Sequence, residues 1–223
     1  MVINVRGSLK YSSYNDNVQV RKNITSIVLS SVDDVSKYTA RFTQSILIDK
    51  SSASLKNIDK NKSYVIVINH NSMADILALY FLPLNFRWVS KREVFRMPYI
   101  GPLLTIHGDI AIDRKDGRNA MRKVTEQGKM WIGRGVSIAM FPEGTRSKNG
   151  EIGRFKQGAF ALAKEAGVEI LPVVMHGTRT VLKKNFLMNW RNVLTVSVLP
   201  PISAEKIAAM EISEAMEMTH QMM

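Results

Sequence analysis

A histidine and an aspartate lie five residues apart in the segment 69–75, which reads NHNSMAD. Imidazole suits proton transfer near neutral pH, and a carboxylate bonded to one ring nitrogen fixes its tautomer. His70 and Asp75 could therefore act as a base and the acid that orients it. The spacing alone also allows a structural role, in which Asp75 caps the helix that follows.

A second segment suited to chemistry lies about seventy residues later, at 141–147, and reads FPEGTRS. Gly144 interrupts a strand-like run and lets the backbone approach a ligand closely. Arg146 can bind a phosphate through two parallel hydrogen bonds, and Thr145 can donate a hydroxyl hydrogen bond. A surface turn with an internal Glu143–Arg146 pair is the alternative interpretation.

Two further cations follow short strand-like runs. Lys91 and Arg114 could each reach the edge of the sheet from which the first two segments emerge. Each could equally be an ordinary solvated charge. Asp113 is better placed to pair with a neighbouring cation than to catalyse a reaction.

The elements that must position these residues alternate between strand and helix patterns. Strands are predicted at 64–68, 87–89, 109–113, 136–141, 169–175 and 193–198, and helices at about 72–82, 118–133, 157–166 and 204–219. This alternation predicts an α/β domain with a mixed, largely parallel sheet flanked by helices. If the strands 64–68 and 136–141 run parallel, both chemical segments emerge at the carboxyl edge of one sheet, where open α/β folds bind ligands.

The first part of the chain differs in pattern from the rest. Residues 1–23 are polar, and from Ile24 to Ile48 apolar residues recur at three- and four-residue steps, which predicts an N-terminal amphipathic helical segment. That helix could pack on the core, or it could lie on a membrane surface with Lys37 and Arg41 near its apolar stripe. We therefore divide the chain into a tail with an amphipathic helix, 1–60, and a catalytic domain, 61–223.

Charge and composition limit the partners. The net charge is +12 with a pI of about 10.0, which favours acidic partners. A basic patch interleaved with aromatic residues is not evident, so we expect no nucleic acid partner. Neither an apolar signal region nor an apolar run of 18 residues is visible, so we expect a cytoplasmic protein, peripheral on the cytoplasmic face of a membrane.

Several catalytic classes lack support in the sequence. There is no cysteine, and the four histidines show no metal-ligand spacing, so we expect no metal and no cofactor. Gly133 and Gly135 lack the third glycine of a dinucleotide fingerprint. Ser137 falls inside a strand instead of on a sharp turn, so it is a poor nucleophile. Direct transfer is therefore favoured over a covalent enzyme intermediate.

The ordered segments resemble the glycerolipid acyltransferase family of the 1-acylglycerol-3-phosphate acyltransferase type. Besides the two segments already described, the resemblance rests on a block from Lys91 to Arg114, on residues 155–158, and on a block that spans 170–178. It covers residues from about 64 to 202. Position 73 carries Met where the family often has an aromatic residue, and Ala111 replaces a commonly larger apolar one.

This resemblance implies an acyltransferase that moves a fatty acyl group from acyl-CoA or acyl carrier protein to the free hydroxyl of a lysophospholipid. It implies that His70 deprotonates the hydroxyl and that Asp75 orients His70. The acceptor's glycerol phosphate would be bound by Glu143, Gly144, Thr145 and Arg146, with help from Lys91 and Arg114. The acceptor, both donors and an anionic membrane surface would be the partners. There are two alternatives. The chain could be an acyltransferase for another lysolipid acceptor, such as a lyso-ornithine lipid, or it could be a non-catalytic basic membrane-binding protein on the same scaffold.

Overall fold

The structure is a computed structural model, and it describes residues 46–48, 54–98, 100–181 and 194–223. The predicted helix over 24–48 lies outside these residues except for its last three positions. Those three form a strand instead of the end of a helix, because Ile46 and Ile48 pair in parallel with Leu194 and Val196 at one edge of the sheet. That part of the helix prediction is wrong.

The described strands form one seven-stranded sheet in the order β1-β7-β6-β2-β5-β3-β4. All neighbouring strands run parallel except β6 and β7, so the predicted mixed, largely parallel sheet is confirmed. The strands are β1 (Ile46–Ile48), β2 (Tyr64–Ile68), β3 (Phe86–Lys91), β4 (Ile110–Ile112), β5 (Ser137–Met140), β6 (Glu169–His176) and β7 (Leu194–Val198).

Helices cover both faces of this sheet. They are α1 (Ala74–Leu79), α2 (Ile100–His107), α3 (Gly117–Ile132), α4 (Gly158–Ala166), α5 (Thr178–Val181), α6 (Ala204–Ala209) and α7 (Ile212–Met222), with short 3₁₀ helices at Ser54–Asn57 and Val94–Arg96. The predicted helix 204–219 is two helices, since the chain is extended at Met210 and Glu211. None of the described helices is long and apolar enough to cross a membrane.

The core has one layer on each face of the sheet, as the alternation along β2 requires. Tyr64, Ile66 and Ile68 point to the layer that α1 covers, which we call the α1 face. Val65 and Val67 point to the layer formed with α3, α4, α6 and α7, which we call the α4 face. Because β2 is central and buried on both faces, its sequence is apolar throughout instead of alternating between apolar and polar residues.

Two of the described α-helices, α2 and the four-residue α5, were not predicted. The sequence of α2 begins Ile-Gly-Pro, which favours a turn over a helix. Pro102 is tolerated because it lies in the first turn, where backbone N–H groups have no partner within the helix. Gly101 is required by close packing, since a Cβ there would lie 2.0 Å from the carbonyl oxygen of Phe95.

Candidate active site

His70 and Asp75 meet in the loop between β2 and α1. Asp75 Oδ2 lies 2.9 Å from His70 Nδ1, and the aspartate side chain is fully buried. This contact assigns the proton to Nδ1 and leaves Nε2 as the basic nitrogen. The predicted contact between the two side chains is therefore present, in the form expected of a base and its orienting carboxylate.

The same carboxylate also shapes the loop. Asp75 Oδ2 accepts hydrogen bonds from the backbone N–H groups of Asn71 and Ser72, each at 2.7 Å. Ser72 Oγ in turn accepts from the backbone N–H of Ala74, where α1 begins. One buried oxygen thus holds the loop and the imidazole together. The alternative that Asp75 caps the helix is wrong, because Asp75 lies within α1 and its bonds go to the loop before it; its role in orienting a base stays a prediction.

An aromatic stack, which the sequence analysis missed, fixes the plane of the histidine ring. The ring of His70 lies on the ring of Phe141 with 3.8 Å between centroids and 14° between planes. Phe141 lies in turn on Trp88, at 5.0 Å and 20°. With one edge bonded to Asp75 and one side against Phe141, the imidazole has little freedom to rotate.

The segment 141–147 is bonded directly to the histidine loop. β2 and β5 are parallel neighbours, so both segments leave the carboxyl edge of the sheet side by side, as predicted. Glu143 Oε1 accepts from the backbone N–H of His70 at 2.7 Å, and the N–H of Ser147 donates to the carbonyl of His70, also at 2.7 Å. The two chemical segments are therefore one hydrogen-bonded unit.

Glu143 occupies a position that the sequence did not reveal. Its second oxygen, Oε2, accepts from the backbone N–H of Gly153 at 2.8 Å, and the residue is only 8% exposed. A carboxylate whose two oxygens each bind a backbone N–H is well suited to holding a loop and poorly suited to binding an anion. Its implied contact with a phosphate stays a prediction.

Cations lie beside this unit on the α4 face. The guanidinium of Arg114 donates a hydrogen bond to the carbonyl oxygen of Gly144. Partial burial lowers the pKa of Arg114, and Glu93 opposes that shift. Gly144 has a positive φ of 74°, and a Cβ there would lie 3.0 Å from Nζ of Lys156. Lys156 is thus a second cation at this turn, at a position that the sequence marked only as resembling the family.

A cavity of about 240 Å³ opens next to these two cations. Arg114, Gly144 and Lys156 lie on its wall, and the apolar part of the wall includes Val89, Ile112, Val124, Met140, Phe141 and Ala159. His70 does not line the cavity, but Phe141, whose ring stacks on His70, is one of the lining residues. A ligand with an anionic and an apolar part would match this wall.

The remaining predicted site residues are placed on the surface of the same rim. Lys91 ends β3, while Thr145 and Arg146 follow Gly144 in the turn, and all three are exposed. They can contact a ligand that lies across the rim. Among the described residues, no group of three His, Asp or Glu side chains that could hold a metal ion occurs.

Asn69 ties this rim to the next strand. Its side chain accepts from the N–H of Met175 at 2.7 Å and donates to the carbonyl of the same residue at 3.0 Å. Because Asn69 is buried, its side chain takes over the hydrogen bonds between neighbouring strands at the point where β2 ends beside β6. Asn69 is therefore held on one side by β6, and the backbone N–H of His70 is held on the other by Glu143.

Fold and site together define an α/β domain with a bonded histidine–aspartate pair and a cation-lined cavity at the carboxyl edge of its sheet. Comparison with known proteins agrees with this description. The model of the Acyltransferase family matches residues 51–176, more than half of the chain, and the protein belongs to that family. The resemblance inferred from the sequence is confirmed.

Relatives come from distant organisms. The chain is 33% identical over 162 residues to the chloroplastic 1-acyl-sn-glycerol-3-phosphate acyltransferase of Arabidopsis thaliana, covering 69% of this chain and 45% of that protein. It is 30% identical over 171 residues to the human 1-acyl-sn-glycerol-3-phosphate acyltransferase beta, covering 75% of this chain and 61% of that one. The chain thus spans about half the length of these curated relatives.

A solved structure supports the fold. The 1-acyl-sn-glycerophosphate acyltransferase of Thermotoga maritima superposes with a TM-score of 0.61, covering 87% of this chain and 83% of that chain. The two sequences are 21% identical, so this likeness concerns the arrangement of strands and helices.

Proposed function

We propose that the protein transfers a fatty acyl group from a thioester donor to the free hydroxyl of 1-acylglycerol-3-phosphate, giving phosphatidic acid for phospholipid synthesis. Membership of the Acyltransferase family and the names of its relatives support this reaction. The observation that carries it is the bonded unit in which His70, held by Asp75, sits against the cation-bearing turn at Gly144.

The chemical step follows from the geometry of the base. Nε2 of His70 takes the proton of the acceptor hydroxyl as its oxygen attacks the thioester carbonyl, and the new ester C–O bond forms. The resulting imidazolium is stabilised by the carboxylate of Asp75 at 2.9 Å from Nδ1. When the tetrahedral intermediate collapses, the C–S bond breaks and the leaving sulfur takes the proton back from His70. No cofactor takes part.

The phosphate of the acceptor would be bound by the cations of the rim. Arg114 and Lys156 meet at Gly144, and Lys91, Thr145 and Arg146 supply exposed donors around them. Glu143 acts as a positioning residue in this proposal, because its carboxylate holds the backbone of His70 and of Gly153. Cations on separate elements around one turn suit a phosphate monoester, whose charge is spread over several oxygens.

The donor would be acyl-CoA or acyl carrier protein, which present the same acylated thiol. The apolar wall of the cavity beside Phe141 suits a fatty acyl chain. Lipid substrates imply action at a membrane surface, and the net charge of +12 favours an anionic one on the cytoplasmic face.

The test is release of free thiol from acyl-CoA by the purified chain, with and without 1-acylglycerol-3-phosphate. We expect release that depends on the acceptor, and phosphatidic acid as the product by mass spectrometry. A panel with monoacylglycerol, other lysophospholipids and a lyso-ornithine lipid ranks the acceptors, and acylated carrier protein replaces acyl-CoA in a parallel series. Absence of turnover with every acceptor, in protein that still binds vesicles, would favour a non-catalytic scaffold.

The phosphate site has a test of its own. Lys156→Met should lower kcat/KM for 1-acylglycerol-3-phosphate by about tenfold or more, since a charged hydrogen bond contributes about 1.5–3 kcal/mol. Turnover of monoacylglycerol, which lacks the phosphate, should change little. Lys129→Met, in the last turn of α3, removes an exposed cation elsewhere and serves as the matched control. Equal losses with both acceptors would contradict phosphate binding by Lys156.

A further inference from the structure

Helix α2, which the sequence did not predict, exposes apolar side chains. Ile100, Leu103 and Ile106 of α2 are 38%, 36% and 80% exposed, and Met97 just before the helix is 46% exposed. Steps of three residues keep the three helical positions within about 120° of one another around the axis. Ile100, Leu103 and Ile106 therefore lie on one side of α2. We call these three residues and Met97 the α2 face.

Contacts at both ends of α2 fix the orientation of the helix. Buried Gly101 lies against the backbone of Phe95 in the 3₁₀ helix, so close that no larger residue fits. At the far end His107 bonds to buried Asp109 at 2.7 Å and contacts the ring of Tyr80 edge-on. Fixed at both ends in this way, α2 presents its apolar side chains away from the sheet.

Cations border this apolar surface. Arg92 and Arg96 are exposed in the segment that leads from β3 to α2, with Glu93 as the one acid between them. An apolar helix side beside basic residues is the pattern of a helix that lies in a lipid interface, where acyl chains receive the apolar groups and anionic headgroups the cations. An anionic bilayer matches both the apolar and the basic part of this surface.

The location of the α2 face relative to the base supports the same occupant. Tyr80, which contacts the end of α2, directly follows α1, so α2 lies on the α1 face with the histidine loop. Met73, three residues after His70, is a further exposed apolar side chain, at 39%. β3 ends at the catalytic rim and leads directly into Arg92. A bilayer that contacts Met73, Met97 and the beginning of α2 would therefore lie on the same side of the sheet as the histidine loop.

We propose that the α2 face, bordered by Arg92 and Arg96, docks the folded domain on an anionic lipid bilayer and so brings His70 to membrane-embedded acceptor. The inference rests on the proposed function for its lipid substrate, but the docking itself does not require turnover. It places a membrane contact in the α/β domain, separate from the helix predicted for the N-terminal segment.

The test uses the full chain and co-sedimentation with vesicles of phosphatidylcholine mixed with phosphatidylglycerol, and of phosphatidylcholine alone. The variant Leu103→Ser/Ile106→Ser should lose at least about tenfold in vesicle affinity, because two apolar groups no longer enter the interface. Met130→Ser/Met222→Ser removes two exposed apolar side chains, 42% and 36% exposed, outside the α2 face and is the matched control. That control should bind as the unchanged protein does.

Charge is tested separately. Arg92→Gln/Arg96→Gln should weaken binding to the mixed vesicles by at least about fivefold and have little effect on phosphatidylcholine alone. Its control is Arg118→Gln/Arg122→Gln on α3, which removes two exposed arginines outside the α2 face. Circular dichroism melting checks that each variant is folded, which their exposed positions favour.

Activity separates the failure of this inference from failure of the proposed function. Docking variants should lose turnover of acceptor embedded in vesicles while keeping that of a short-chain acceptor dissolved as monomers. Vesicle binding unchanged in Leu103→Ser/Ile106→Ser would overturn the inference and assign attachment to the predicted N-terminal helix. A change in oligomeric state of that variant, without loss of vesicle binding, would also overturn it in favour of a second copy of the chain. If no acceptor is turned over but vesicle binding still depends on the α2 face, the docking stands and the reaction fails.

Discussion

Replacing Asp75 by asparagine separates the two roles that the structure gives this carboxylate. Asp75 Oδ2 accepts from Nδ1 of His70 and from two backbone N–H groups. Because all three contacts end on Oδ2, an asparagine oxygen in that place keeps them but carries no charge, and its amide group takes the place of Oδ1. The imidazole would then lose the negative charge that stabilises its protonated form.

The expected magnitude follows from these contacts. Loss of an oriented general base lowers kcat by about 10² to 10⁴, which is about 3–5.5 kcal/mol of barrier. Stability should fall by only about 1–3 kcal/mol, since the backbone bonds become neutral but are not lost. Asp75→Ala is the comparison, because it leaves the N–H groups of Asn71 and Ser72 without an acceptor and should cost about 2–6 kcal/mol, at about 1–3 kcal/mol for each.

The assay measures kcat from thiol release at saturating acceptor and the free energy of unfolding from urea titration of the same samples. Asp75→Asn should separate the two quantities, with a large loss of rate and a small loss of stability. If its kcat stays within about threefold of the unchanged protein, Asp75 serves the loop alone and the reasoning about the base is refuted.

Three other substitutions test the surroundings of the base. Gly144→Ala forces a side chain onto a φ of 74° and into contact with Lys156, so it should cost about 1–3 kcal/mol of stability and raise KM for the acceptor. Gly135→Ala is the control, since Gly135 has a φ of 78° but open space around it. It should cost a similar amount of stability and leave KM unchanged in the same kinetic and melting assays. Asn69→Ala removes both bonds to Met175 and should destabilise by about 2–4 kcal/mol in urea; a change below about 0.5 kcal/mol would contradict its role at the strand end. Phe141→Leu removes the stacks on His70 and Trp88, so kcat should fall by about tenfold with KM nearly constant; a loss confined to KM would assign Phe141 to ligand binding instead.

Much of the fold could be predicted because its signals are local. The run 64–68 is apolar throughout and forms a central buried strand, as its pattern indicates. Helix α3 has an apolar stripe and an aspartate, Asp116, that accepts from the N–H of Asn119 at its start. Elements whose local sequence favours another structure were missed. Helix α2 was missed because Gly101 and Pro102 near its start favour a turn. Strand β1 was missed because its three residues continue a helix-like pattern and become a strand only by pairing with β7.

The site was predictable in its residue types and less so in its contacts. The order of strands placed His70 beside Glu143, which the parallel-sheet argument anticipated. The direction of the Glu143 carboxylate, toward two backbone N–H groups, depends on the path of the chain at Gly153, ten residues away. The stack of His70 on Phe141 and the approach of Lys156 to Gly144 likewise arise from three-dimensional packing. Sequence spacing carries no information about such contacts.

The central claim is that His70 is the base of an acyl transfer to a lysophospholipid hydroxyl. The most direct measurement is formation of phosphatidic acid from acyl-CoA and 1-acylglycerol-3-phosphate by the unchanged protein and by His70→Ala, with matched melting curves. We expect acceptor-dependent product from the unchanged protein and a loss of at least about 10²-fold in His70→Ala. Product formed at a comparable rate by folded His70→Ala would contradict it.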